Sequence, residues 1–400
     1  MNINVKPILN GVRILDFSRY ISGPFCTTLL ADLGAEVIKI EQPGVGDESR
    51  YWPPLTESKE NSGFFIQNNR NKKSLTVNLK SELGKEIIEK LVKVSDVVVE
   101  NFRPGVMDRL GFDYSKFKSL NSRIVYASIS GFGQYGPHRD RPGADGAILA
   151  ESGLMDNTGF EDGQPVRVGM ALGDTVPGLY LALGICASLL QRDRTGEGQR
   201  VDVAMLDAIV SLYETHIVTY SMTGKVISRL GNMDRVSAPS GMFPTKDGYV
   251  AFGIGTIEHW RSLCKVIQRK DLIDDQRFKE RDDRRANNAA LTEILSDQLK
   301  IMTSQEIVEK LNREKIPVGP VNTIKQVVEH PSLNARKMFV EVDHPVSGKT
   351  KILSSPIRFS DFEIKPKPAP LLGQHNDEIL ADLLDYNENE IKRFRNEGVI

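Results

Sequence analysis

The feature that most constrains the fold lies near the start of the chain. Val12-Arg13-Ile14-Leu15-Asp16-Phe17 reads as a strand, Ser22-Gly23-Pro24 opens a helix with proline near its first turn, and Gly34 closes that helix. Phe25, Leu29, Leu30 and Leu33 recur at helical spacing, and Glu36-Val37-Ile38-Lys39-Ile40 follows as a second strand. Two strands joined by a whole helix run parallel, because an antiparallel pair needs only a short turn between its strands. A parallel sheet requires helices on its faces, so the chain is expected to be an α/β protein.

The same alternation continues. Glu82–Val94 carries Leu83, Ile87, Leu91 and Val94 on one helical face, Val97-Val98-Val99 reads as a short buried strand, and Pro104–Leu110 as a short helix. Ile124–Ile129 is the next strand, and a loop rich in glycine, proline and arginine follows from Gly131 to Gly146. A nearly all-apolar helix is expected from about Val176 to Gln191, then a strand over Arg200–Val203 and a helical stretch over Met205–Tyr220. The character changes near Gly224, where a turn-rich stretch leads into the strand Tyr249–Ile254 and helical patterns over Ile257–Ile267, Arg285–Lys300 and Ser304–Glu314. The expected division is a large domain over residues 1–224, a small α+β domain over 225–330, and a C-terminal part, 331–400, with another strand at Ile357-Arg358-Phe359.

Composition removes several classes of function. Lys and Arg number 52 against 53 Asp and Glu, which leaves no bulk charge to drive association with nucleic acid or a membrane surface. Cys26, Cys186 and Cys264 are far apart, so neither a disulfide framework nor a thiolate metal site is expected, and the chain reads as cytoplasmic. The six histidines show no HxxxH or HExxH spacing, which disfavours a zinc hydrolase. The apolar run Leu179–Leu190 is too short for a membrane span and reads as a buried helix.

Three features invite chemistry. Gly131-Phe132-Gly133-Gln134-Tyr135-Gly136 is a literal GxGxxG, but Pro137-His138-Arg139-Asp140-Arg141-Pro142 follows it where a dinucleotide fold needs a helix N-terminus, so a tight turn is expected instead. Arg70, Lys72, Lys73, Lys80, Arg103, Arg109, Arg139 and Arg141 fall in strand ends and loops, where cations can cradle phosphates or simply be solvated. Asp174 stands directly before the most apolar helix. There a carboxylate can cap the helix or, held against an apolar wall, act as a nucleophile or proton carrier, and residue chemistry alone leaves both open.

The order of several segments adds a resemblance. Gly11–Asp16, Gly23-Pro24, Leu33–Glu41, Asn69–Ser74, Glu100-Asn101-Phe102-Arg103-Pro104-Gly105, Ser130–Gly133, Asp174 with its flanking glycines, Asp247-Gly248-Tyr249 and Leu372–His375 together resemble the class III coenzyme A transferases, the CaiB/BaiF or formyl-CoA transferase family. The resemblance implies a Rossmann-like large domain whose parallel sheet is built from both chain ends, a smaller inserted domain, and two subunits threaded as an interlocked homodimer. It implies an acyl-CoA donor, a small carboxylic acid acceptor, with small dicarboxylates common in the family, and no metal or permanently bound cofactor. The aspartate matching Asp174 would attack the thioester and carry CoA as an aspartyl-CoA thioester.

Residue by residue, the resemblance assigns CoA contacts to Val77, Asn78, Leu79 and Lys80, to Asn101, Phe102 and Arg103, to Arg109, and around Ile21, Ser22 and Gln42; the acceptor would meet Gly143, Ala144 and Ser240. A formyl-CoA transferase has glutamine in place of Ile21, arginine in place of Gln42 and a glycine-rich loop in place of Ser237–Phe243, which points away from formyl-CoA and oxalate as the natural pair. The related α-methylacyl-CoA racemases carry a histidine thirty residues before the aspartate, where this chain has Ala144. Alanine moves no proton, so transfer is preferred; a racemase-type isomerase and a non-catalytic CoA-binding protein are the alternatives.

Overall fold

A computed structural model describes residues 6–55 and 62–400. The chain divides into two compact units, one formed by Met1–Leu154, Arg167–Val218 and Pro331–Ile400, the other by Met155–Val166 and Thr219–His330.

The first unit is built on β1 (Arg13–Asp16), β2 (Glu36–Glu41), β3 (Lys73–Thr76), β4 (Val97–Glu100), β5 (Val125–Ser130) and β6 (Arg200–Ala204). They form one sheet in the order β3-β2-β1-β4-β5-β6, and every pairing is parallel. β4 and β5 are buried along their whole length, as the apolar runs Val97–Val99 and Val125–Ile129 require of central strands. The strand order reverses between β1 and β4, where Leu15 pairs with Val98 and Asp16 with Val99. In such a sheet the carboxyl ends on either side of the reversal splay their loops apart and leave a crevice. The segments after Asp16 and after Glu100 therefore form the walls of any site.

One face of the sheet is packed by Ile87, Leu91, Phe112 and Phe117 together with Ile379, Leu380, Ile391 and Phe394 from the chain's end. Against the other side the helix Leu172–Thr195 packs on the helix Ser22–Asp32 and on β5 and β6. Gly178 permits this approach, because a Cβ there would lie 2.8 Å from the Ser22 carbonyl oxygen and 3.0 Å from the Phe25 ring. That 24-residue helix is long and apolar enough, by length and composition alone, to cross a membrane, yet half of its apolar stretch is buried within this chain. It extends a turn further at each end than its apolar residues suggest, so Asp174 lies inside its first turn rather than before it.

The sheet does not draw on both chain ends: among the described residues all six strands lie between Arg13 and Ala204. The C-terminal segment instead clamps the β3 edge with a turn. Ser74 N–H donates to His375 Nδ1 at 3.1 Å, His375 N–H donates to the Ser74 carbonyl at 3.1 Å, and Thr76 N–H donates to Asn376 Oδ1 at 2.9 Å. A ring nitrogen and an amide oxygen thus satisfy edge donors that an added strand would otherwise pair. The expected strand at Ile357–Phe359 is likewise absent, since Pro356 cannot donate to a ladder, and the β-hairpin of this region is β10 (Phe339–His344) with β11 (Gly348–Leu353). The helical stretch expected over Met205–Tyr220 breaks into Met205–Val210 and His216–Thr223.

The second unit contains an antiparallel sheet, β7 (Ser240–Pro244), β8 (Tyr249–Gly253) and β9 (Val318–Pro320), with the helices Ile257–Val266, Asn288–Leu299 and Ser304–Arg313. Its own core is Phe243, Phe252, Trp260, Leu263, Leu295 and Leu311.

Candidate active site

Buried charge shapes the crevice at the end of β1. Asp16 is fully buried, and its carboxylate accepts from Lys72 Nζ at 3.0 Å, Thr27 Oγ1 at 2.6 Å and the Ser18 N–H at 3.0 Å. Lys39, equally buried, pairs with Asp47 at 2.9 Å and donates to the Ser18 carbonyl at 2.8 Å, while Arg50 grips Glu41 through two nitrogens. Burial pushes the Asp16 carboxyl up, but Lys72, Lys39 and the two hydroxyls outweigh it and hold the group down at about 2. Asp47 also accepts the Tyr20 N–H at 3.2 Å, fixing Tyr20 in a left-handed conformation (φ 68°). Asn101, at the end of β4, closes the same turn: its amide accepts from Arg19 N–H at 2.8 Å and donates to the Arg19 carbonyl at 2.7 Å.

Two clefts open from this scaffold. The smaller, about 320 Å³, is lined by Phe17, Lys39, Gln42, Val77–Lys80, Phe102 and Leu110. The larger, about 530 Å³, is lined by Tyr20, Ser22, Trp52, Asn101, Arg103, Gly143, Ala144, Asp145 and Asp174. Arg19, Phe102 and Val106 belong to both walls, so the clefts are neighbours across the switch point. Lys80 and Arg103 are exposed, and among the described residues neither has a carboxylate partner.

Asp174 is half-buried, and no described residue donates a hydrogen bond to its carboxylate. Burial, with the negative charge of Asp145 adding to it and Arg167 opposing, pushes its carboxyl up to about 7. Such a carboxylate is poorly solvated and more basic than usual, which is the condition for nucleophilic or proton-transfer chemistry.

The glycine motif has a packing explanation. A Cβ on Gly131 would lie 2.6 Å from the Gly143 Cα, and one on Gly143 would lie 2.4 Å from the Gly131 Cα. The two backbones cross in contact, and this crossing brings Gly143 and Ala144 into the larger cleft. No helix receives a pyrophosphate there; the helix that follows, Asp145–Glu151, begins beyond the crossing.

Of the residues singled out from the sequence, Gln42 and Val77–Lys80 line the smaller cleft, Ser22, Asn101, Arg103, Gly143, Ala144 and Asp174 the larger, and Phe102 both. Arg109 is exposed on the helix Val106–Leu110 and lines neither, and Ile21 is the half-buried residue capping the helix Ser22–Asp32 without lining either. Ser240 lies in the second unit, where its Oγ accepts the Ile254 N–H at 2.9 Å and meets Ser237 Oγ at 2.8 Å. Much of the basic cluster is spent internally. Arg70 pairs with Asp32, Lys72 with Asp16, Lys73 with Glu36 and Glu378, and Arg141 with Glu151. Arg19, Tyr20, Trp52 and Asp145 were not singled out; the position of Arg19 and Tyr20 just after β1 is the signal that would have found them.

The chain is similar over nearly its whole length to known proteins. A family model described as CoA-transferase family III matches residues 9–376. Succinyl-CoA:glutarate CoA-transferase of Homo sapiens is 38% identical over 398 residues, covering 99% of this chain and 90% of that protein. Formyl-CoA:oxalate CoA-transferase of Rhodopseudomonas palustris (strain HaA2) is 36% identical, covering 98% and 97%. A crystal structure of a CaiB/BaiF family protein from Brucella suis superposes with a TM-score of 0.86 at 35% identity, covering 95% of this chain and 100% of that one. With the match running through both clefts and past Asp174, the chain belongs to CoA-transferase family III, a class of enzymes that transfer sulfur-containing groups.

Proposed function

We propose that the protein moves CoA from an acyl-CoA donor to a small carboxylic acid, with Asp174 as the nucleophile. The observation that carries this reading is the unbonded Asp174 carboxylate in the wall of one cleft, beside a second cleft lined by Val77–Lys80. The nucleotide end of CoA would lie along Val77–Lys80 and Phe102, with Lys80 and Arg103 near phosphate charge, and the thioester would reach Asp174. An Asp174 oxygen attacks the thioester carbonyl and expels the CoA thiolate, leaving an acyl-aspartyl anhydride. The thiolate then attacks the aspartyl carbonyl carbon, releases the donor's carboxylate and forms the aspartyl-CoA thioester. The acceptor carboxylate repeats both steps in reverse, so the thioester bond is conserved and Asp174 is regenerated. Given the names of the relatives, a C4 or C5 dicarboxylate is the acceptor class we favour, and an uncharged Ala144 leaves room for it without supplying a proton carrier.

Incubation with a panel of short acyl-CoAs, followed by intact-protein mass spectrometry, tests the reading. A mass gain equal to CoA or to the acyl group is expected with at least one donor. Incorporation of solvent deuterium at the α-carbon of a 2-methylacyl-CoA without any adduct would instead favour isomerisation.

The CoA contacts make a separate prediction. Lys80→Ala and Arg103→Ala should each weaken CoA binding roughly tenfold, the worth of one charge-assisted contact, and the difference should shrink in high salt. Arg109→Ala should do less, because Arg109 lines neither cleft. Equal titration curves for the Lys80 variant and the wild type by calorimetry would remove the nucleotide from this cleft.

We further propose a cytoplasmic homodimer. Leu179, Leu183 and Leu190 are each more than half exposed on the long helix, a patch that a partner would cover. Light scattering should give twice the chain mass, and Leu183→Glu should lower it; a wild-type monomer would dismiss the dimer.

A further inference from the structure

The first turn of the helix Leu172–Thr195 has an unusual distribution of hydrogen bonds. An α-helix begins with four N–H groups that lack intrahelical partners, and an aspartate at its third position ordinarily helps satisfy them. Those of Leu172, Gly173 and Asp174 find partners here without the Asp174 carboxylate. Leu172 N–H donates to the Met170 carbonyl at 2.9 Å and Asp174 N–H to the Ala171 carbonyl at 3.3 Å, while Thr175 N–H makes the ordinary first intrahelical bond to that same carbonyl at 3.0 Å. The remaining donor, Gly173 N–H, is taken at 2.8 Å by Oδ1 of Asp145, from a different helix. The fit is close, since a Cβ on Gly173 would lie 3.0 Å from that same oxygen. The second Asp145 oxygen is held by Arg167 Nη2 at 2.5 Å, which fixes the carboxylate's orientation.

We propose that Asp145 is the positioning residue of the reaction: it caps the nucleophile's helix from outside and so keeps the Asp174 carboxylate out of the cap and free in the cleft. This rests on the transfer reading above. The Ala171 position, the helix's own N-cap, offers no side-chain acceptor, so without Asp145 the Gly173 N–H would lose its partner and Asp174 would be the nearest carboxylate in sequence to replace it. Asp145 also faces Asp174 as a like charge, tempered by Arg167. The other charged groups lining this cleft are Arg19, paired with Glu48, Arg141, paired with Glu151, and Arg103.

Two variants with opposite signs test the idea. Asp145→Asn keeps an oxygen acceptor for Gly173 N–H but removes the charge; Arg167→Gln, at a half-exposed side chain, removes the opposing charge and leaves Asp145 in place. The readout is the rate of adduct formation in a single turnover as a function of pH, followed by mass. For Asp145→Asn the acid limb should move down by about one pH unit, with a several-fold lower plateau and a melting temperature near wild type. For Arg167→Gln the limb should move up. Asp145→Ala, which removes the acceptor too, should lower the plateau a further tenfold or more. A merely structural aspartate would lower the melting temperature without moving the limb. Coincident acid limbs in wild type, Asp145→Asn and Arg167→Gln would overturn the inference while leaving Asp174 as nucleophile; a wild type that forms no adduct with any donor would overturn the transfer reading and this one with it.

Discussion

Asp174→Ala is expected to abolish the covalent adduct and to lower CoA transfer by at least ~10³-fold, with CoA affinity changed by no more than about twofold. The size follows from the chemistry: every bond made or broken in the proposed cycle passes through this one carboxyl, and no other carboxylate in the cleft is unpaired. Asp145, the neighbouring acid, is engaged with Gly173 and Arg167 and cannot substitute. The small effect on binding follows from geometry, because the cleft lined by Val77–Lys80 does not include Asp174. In the wild type the attacking form is the carboxylate, so the transfer rate should rise with pH through about 7, where burial has pushed this group. The same shift fixes the sign of its effect on folding. A carboxyl raised in the folded state penalises the folded protein once pH exceeds the ordinary carboxylate range, and the penalty is complete above about 7. Asp174→Asn should therefore be as stable as the wild type at pH 8, or more so, while inactive, a trade common at reactive sites. Retained turnover in Asp174→Ala would end the proposed mechanism.

The distance over which each signal acts explains what could be read from the sequence. The strand and helix from Val12 to Ile40 were legible because helix punctuation and apolar spacing are local, and they appear as Arg13–Asp16, Ser22–Asp32 and Glu36–Glu41. β3 was not legible: Lys73-Ser74-Leu75-Thr76 contains one large apolar residue, and its edge is held by His375 and Asn376, some three hundred positions away. Asp174 stood out through its glycine-flanked place by an apolar helix, but its lack of a capping role depends on Asp145, which only the folded chain brings to Gly173. The basic cluster shows the limit most plainly. Arg70, Lys72 and Lys73 have the residue type and the loop-like setting of phosphate ligands, yet their carboxylates are Asp32, Asp16 and Glu36, each more than thirty residues upstream. A cation's charge is local; whether that charge is already matched is a property of the fold.

That matching carries the second large effect. Lys72→Met is expected to destabilise the first unit by ~3–5 kcal/mol, a fall of roughly 10 °C in melting temperature, because it strands the Asp16 carboxylate at full burial. Lys72 also donates to the Pro24 carbonyl at 3.0 Å and to Asn69 Oδ1 at 2.9 Å, so its loss frees acceptors at the start of the helix Ser22–Asp32 as well. Asp16→Asn alone should be damaging for the converse reason, leaving a buried ammonium without its nearest anion. The double variant Asp16→Asn with Lys72→Met removes both charges, and it should recover a large part of either loss, since two neutral groups avoid the cost of an uncompensated buried ion. Acid should reproduce the single loss. The folded-state pKa of Asp16 is depressed to about 2, so its stabilisation is fully present above the unfolded value near 3.8 and is lost as pH falls from there through about 2. Melting curves between pH 2 and 5 should consequently be steeper in pH for the wild type than for the double variant. Additive losses in the double variant would show that Asp16 and Lys72 act through separate partners, and the turn from Ser18 to Ser22 would then owe its shape to Lys39, Asp47 and Asn101.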